Sequence, residues 1–174
     1  MLTFIDRGTY TVQPRMRAEY PTATMLDLHI HAYLAGTKYA VPELANYARK
    51  EYVALGDMSL QTVFDNNLDV SRDVMALDPF RPDRAAGTAI VKAFLESLAM
   101  LWRNTPNRGD QLRAHVVELL KHHLTRLVKV PFFGTLMREV PDLGRDIEDA
   151  LGDDGLAVVT FCVNEGENGA VRFS

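Results

Sequence analysis

The chain is poor in the residues and runs that commit a protein most strongly to a class. It has a single cysteine, Cys162, in 174 residues. That excludes an internal disulfide and a multi-cysteine zinc site, and it fits a reducing compartment. No apolar run approaches the roughly 20 residues that a membrane-spanning helix needs, because charge interrupts every long helical candidate. The opening MLTFIDRGTY turns charged at Asp6 and Arg7, before the apolar core of a signal peptide could form. Gly8, Gly36, Gly56 and Gly87 are isolated, so no phosphate-cradling glycine loop is recognisable. Ser59, Ser71 and Ser97 lack a GxSxG context, which leaves serine nucleophilic catalysis without support. A basic excess is also lacking. Lys and Arg number 19 against 23 Asp and Glu, for a net charge of -4. No global field therefore favours nucleic acid or an anionic membrane. The expectation is a soluble cytoplasmic or nuclear protein with no cofactor and no nucleic-acid or membrane partner.

What is present is an ordinary apolar fraction, 47%, arranged at helical spacing. Residues 1–8 read as the tail of a helix stopped by Gly8, and residues 9–21 as loop broken by Pro14 and Pro21. A helix is predicted over residues 22–39, with one stripe of Leu26, Ile30, Tyr33, Leu34 and Thr37 and a second of Leu28, Ala32, Ala35 and Tyr39. Apolar residues on two sides mark a central helix. Gly36 lowers helix propensity by about 1 kcal/mol against alanine, which points to close approach by a neighbour. Pro42 opens a second helix over residues 42–55, burying Val41, Leu44, Ala45, Ala48, Tyr52 and Leu55, turning Arg49, Lys50 and Glu51 outward and ending at Gly56. Ser59 is placed as the cap of a short helix to residue 64, and residues 65–84 are irregular.

Further helices are predicted over residues 84–102 and 111–129. The first has a face of Val91, Phe94, Leu95, Leu98, Leu101 and Trp102. The second is capped by Asp110, with a stripe of Leu112, Val116, Leu119, Leu120, His123 and Leu127. Two short helices follow Pro131 and Pro141. Alternation over residues 156–163, a glycine-rich turn and residues 170–173 then suggest a β-hairpin. The fold class expected is mainly α, a bundle of antiparallel helix pairs with a short C-terminal β-hairpin. Its organisation is residues 1–64, a helical extension over 85–155 and the appendage 156–174, within one globular unit.

Residues 31–52, HAYLAGTKYAVPELANYARKEY, closely resemble the closing helical hairpin of BTB/POZ domains in the form common in fungal proteins. Tyr33, Leu34, Ala35, Lys38, Tyr39, Val41, Pro42, Leu44, Ala48 and Tyr52 carry the match. The run from Met1 to Tyr10 looks like the helix and loop before that hairpin, and the helices with Trp102 and Leu112-Arg113 look like the family's helical extension. The resemblance implies the back part of a BTB domain plus that extension, and hence a protein-interaction module, an adaptor or scaffold rather than an enzyme. A BTB domain normally opens with a strand-and-helix region upstream of this point, which supplies much of its dimer interface. The apolar residues that such a region would cover, Met1, Leu2, Phe4 and Ile5 with Tyr10, are the candidate interaction surface. Self-association into a homo-oligomer is the expected remedy for an apolar patch of several hundred Å², and the protein partner is unspecified.

Candidate chemistry is sparse. His29 and His31 lie two apart and face different ways on a helix. His115, Glu118 and His122 share one face at spacings of three and four, a geometry able to bind a divalent metal. The order is not HExxH, however, and no further ligands complete the set. A helical enzyme or a metal- or ligand-binding protein with its site at these three residues is the alternative reading. Lys121, Arg126, Lys129 and Arg138 suit helix ends rather than nucleic acid. Glu139, Asp142, Asp146, Glu148, Asp149, Asp153 and Asp154 read as a solvated acidic face.

Overall fold

A computed structural model describes Tyr10 and residues 24–65, 82–105 and 107–153, the side chains of 82–88 and 153 excepted. These residues build helices α1 (Met25–Lys38), α2 (Pro42–Asp65), α3 (Pro82–Asn104), α4 (Gln111–Leu127), α5 (Pro131–Glu139) and α6 (Pro141–Asp153). The mainly α class is thus observed, with no strand among the described residues. The expected β-hairpin over 156–174, the irregular run 66–81 and the surface residues Met1, Leu2, Phe4 and Ile5 lie outside the described residues.

Thr24 starts α1 with a reciprocal capping box. Its hydroxyl accepts from the Asp27 amide at 3.2 Å, while the Asp27 carboxylate accepts from the Thr24 amide at 2.8 Å. The helix stops in a Schellman turn. The Val41 amide reaches back to the Gly36 carbonyl at 2.8 Å and the Ala40 amide to Thr37 at 3.4 Å. Ala40 carries the left-handed backbone that this turn requires, φ 53°. Pro42 then opens α2 without losing an intrahelical bond. α1 and α2 pack antiparallel at very close range. A Cβ on Gly36 would sit 2.6 Å from the Ala45 backbone nitrogen, so the predicted close approach at this glycine is observed.

α2 departs from expectation. It does not stop at Gly56 but runs 24 residues through it to Asp65. Gly56 is buried, and Phe94 of α3 and Leu119 of α4 pack over its missing side chain. The glycine is a seat for two neighbours rather than a terminator. Ser59 correspondingly caps nothing, because its hydroxyl donates to the Leu55 carbonyl inside the helix at 2.7 Å.

α2 is the helix around which the others gather, packing on α1, α3 and α4. α3 also meets α1 and α5, and α6 closes on α4 and α5. The expected direct pairing of α3 with α4 is replaced by packing of both helices on α2. α4 runs parallel to α2, as three cross-contacts in rising order show: Arg49 to Gln111, Asp57 to His123 and Asp65 to Arg126. The core includes Ile30, Leu44, Tyr52, Leu60, Phe94, Leu98, Leu120 and Phe133. Every apolar residue predicted on the faces of α3 and α4 is buried. On α1 the first stripe is buried at Leu26, Ile30 and Tyr33, but Tyr39 of the second is 70% exposed. Within α1 the second stripe is covered too, fully at Ala32 and in part at Leu28 and Ala35, while Tyr39 lies at the helix's C-cap.

Candidate functional site

Among the described residues, two cavities are lined by polar side chains from separate helices. The first is a groove of about 720 Å³ between the parallel helices α2 and α4. α2 contributes Arg49, Lys50, Val53, Ala54, Asp57 and Gln61, and α4 contributes His115, Glu118, Leu119, His122 and His123. Positions 49, 53, 57 and 61 recur every fourth residue, so they line one face of α2 over about 18 Å. Val53, Ala54 and Leu119 supply the apolar part of the lining.

Its polar groups are largely committed to one another. The His123 Nε2–H donates to Asp57 Oδ1 at 2.9 Å, and Lys121 pairs with Glu118 at 3.0 Å. His115 and His122 each donate Nδ1–H to a carbonyl one turn earlier, Gln111 and Glu118, both at 2.7 Å. Arg49 differs. It donates to two neutral oxygens, Gln111 Oε1 at 3.0 Å and Asn46 Oδ1 at 3.2 Å, while its buried Nε finds no acceptor among the described residues. The expectation that Arg49 points outward is corrected, since the side chain lies half-buried along the groove.

His115, Glu118 and His122 all line this groove, as their shared face predicted. They do not converge into a metal centre. Among the described residues, no group of three or more His, Cys, Asp or Glu side chains is arranged to hold a metal ion. Among the described residues, the groove lining includes no serine, threonine, tyrosine or cysteine. Sequence reasoning missed Arg49, Asp57 and Gln61 as members of the site. Their four-residue spacing was available, but ending the helix at Gly56 cut the stripe in half.

The second place centres on Arg113, which is 2% exposed. Its Nε donates to Asp146 Oδ2 at 3.0 Å, its Nη2 donates to the same oxygen, and its Nη1 donates to the Thr105 carbonyl at 2.6 Å. Trp102 Nε1–H donates to that carboxylate oxygen at 2.9 Å, and the guanidinium lies 5.1 Å from the Trp102 ring. The adjoining cavity, about 290 Å³, has a more polar character, with Arg108 paired to Asp149 at 3.8 Å. Asp146 is thus no part of a solvated acidic face. It is the acceptor that ties α6 to α3 and α4, a structural clasp with every named donor already engaged.

Tyr10, placed in the sequence-derived interaction surface, lies half-buried between His29 and Tyr47. Its hydroxyl hydrogen-bonds His29 Nδ1. Burial raises the phenol well above its ordinary pKa and lowers that of the imidazole, the latter offset in part by Glu51. The phenol therefore donates and the neutral imidazole accepts. His31 is exposed.

No family model, curated protein or solved structure matches the chain. None of the described helices is long and apolar enough to cross a membrane.

Proposed function

We propose that the chain is a non-enzymatic protein-interaction module, an adaptor or scaffold, and that it engages a protein partner through the α2–α4 groove. The groove itself carries the reading: two parallel helices present an apolar strip flanked by charged side chains, over a length suited to a peptide segment. The resemblance of residues 31–52 to the closing hairpin of BTB/POZ domains favours the same class of role. Those residues form the second half of α1, the corner and the first half of α2.

The test places a photo-reactive amino acid at Ala54, an exposed member of the groove lining, with the same group at exposed Thr125 as control. Protein adducts that form from position 54 and not from 125 support the reading. Equal labelling from both, or none from 54, removes it. The second reading, a ligand- or metal-binding site, draws on the fact that His115, Glu118 and His122 share the groove wall. Stoichiometric metal in protein purified without a metal-affinity resin would favour it.

A further inference from the structure

The groove has a charge character of its own within an acidic chain. Both of its carboxylates already accept from donors of the fold, Asp57 from His123 and Gln61, and Glu118 from Lys121. Its two permanent cations are not matched in the same way. Arg49 has only neutral oxygens as partners, and neither it nor Lys50 forms an ion pair among the described residues. Arg49 and Lys50 are consecutive on α2, and Val53 and Ala54 follow one turn later. A segment lying along the groove would therefore meet positive charge and apolar surface together. A carboxylate is the group best suited to a guanidinium that lacks an anionic partner.

We propose that the partner segment is acidic, with Asp or Glu side chains set against Arg49 and Lys50 and an apolar side chain seated on Val53 and Leu119. This rests on the reading of the groove as a protein-docking site. Complementary charge gives such a contact its specificity and orientation, and the apolar strip supplies burial. A basic segment would face two uncompensated cations, the like-charge penalty that excludes wrong partners.

The experiment is a display selection of random 16-residue peptides on the intact chain, with counter-selection on Ala54→Trp. That substitution at an exposed position fills the groove without touching the core. Enrichment of peptides that combine Asp or Glu with Leu, Ile, Met or Phe, and that lose binding to Ala54→Trp, is the expected result. Lys50→Glu, a reversal at an exposed side chain, should weaken those peptides about tenfold, and Arg49→Glu at least as much. Replacing the peptide's acids by Lys should restore binding to the reversed variants. Groove-dependent peptides that are neutral or basic would overturn the acidic assignment while leaving the docking reading standing. Absence of any groove-dependent peptide would overturn both. A concentration-dependent dimer that Ala54→Trp abolishes would show that a second copy fills the groove, and would also overturn the proposal.

Discussion

Three residues show how local constraint is built into the α1–α2 unit. Ala40 holds a left-handed backbone, φ 53°, at the position of a Schellman turn that glycine usually fills. An L-residue there costs about 1–2 kcal/mol. Ala40→Gly should recover part of this and raise stability by about 1 kcal/mol in urea unfolding, against the greater entropy of glycine in the unfolded chain. No gain would mean that the corner is not under strain. Gly36 behaves oppositely. Gly36→Ala drives a Cβ to 2.6 Å from the Ala45 backbone nitrogen, and a backbone atom cannot swing aside as a side chain can. Separation of α1 from α2 should cost ~1–3 kcal/mol, and an unchanged unfolding midpoint would refute the close packing. His29 carries a pH dependence whose sign is determined. Burial holds its pKa below the ordinary value, so the folded state keeps it neutral while the unfolded chain binds a proton near pH 6.5. Its stabilisation is whole above about pH 6.5 and is lost as pH falls from there toward the folded value. The loss of stability between pH 7.5 and 5 should be shallower in His29→Gln, and parallel profiles would exclude His29 as a contributor.

At the scale of elements, α6 depends on a buried ion pair. The Asp146 carboxylate accepts from Arg113 and Trp102, and removing one partner leaves charge buried without compensation. Arg113→Met should cost about 3–5 kcal/mol, whereas Arg113→Met combined with Asp146→Leu should regain most of it. A double variant no better than the single would show that the pair is not the unit of stability. This clasp also marks a limit of sequence reading. The α4 stripe of Leu112, Val116, Leu120 and Leu127 was legible because helical periodicity records burial of apolar residues. Periodicity says nothing of a cation buried beside that stripe, and Arg113 and Asp146 are 33 residues apart. Asp110 was legible as a cap, since its carboxylate accepts from the Leu112 and Arg113 amides. Its further bond from the Tyr33 hydroxyl at 2.9 Å, across 77 residues, was not. Gly56 misled for the converse reason. A terminating glycine and one kept small for two neighbours look alike until Phe94 and Leu119 are in place. That same misreading hid Asp57 and Gln61, the groove residues of α2 beyond it.

At the scale of the whole molecule, the division of the sequence near residues 65–84 does not divide the packing. α2 lies on one side of that stretch and α3 and α4 on the other, yet both of the latter pack against it. The tie is made of buried groups. Tyr52 of α2 meets Ser97 of α3 at 2.7 Å, and because the Ser97 hydroxyl donates to the Phe94 carbonyl, the tyrosine donates to the serine. Phe94 in turn lies beside Gly56 and 6.3 Å from the Tyr52 ring. Neither half could keep these groups covered alone, so the halves should unfold together. Leu44 and Leu120 report on the two sides, both buried at 2% and 0% exposure respectively. Leu44→Ala and Leu120→Ala should each destabilise by about 2–5 kcal/mol, and each should move one common transition. Trp102 fluorescence follows the second half, and helical circular dichroism follows both. The two signals should stay coincident in the parent and in both variants. Divergence of the signals in Leu44→Ala, with the Trp102 transition left in place, would separate the molecule into two domains and would remove α2 from its position as the shared centre.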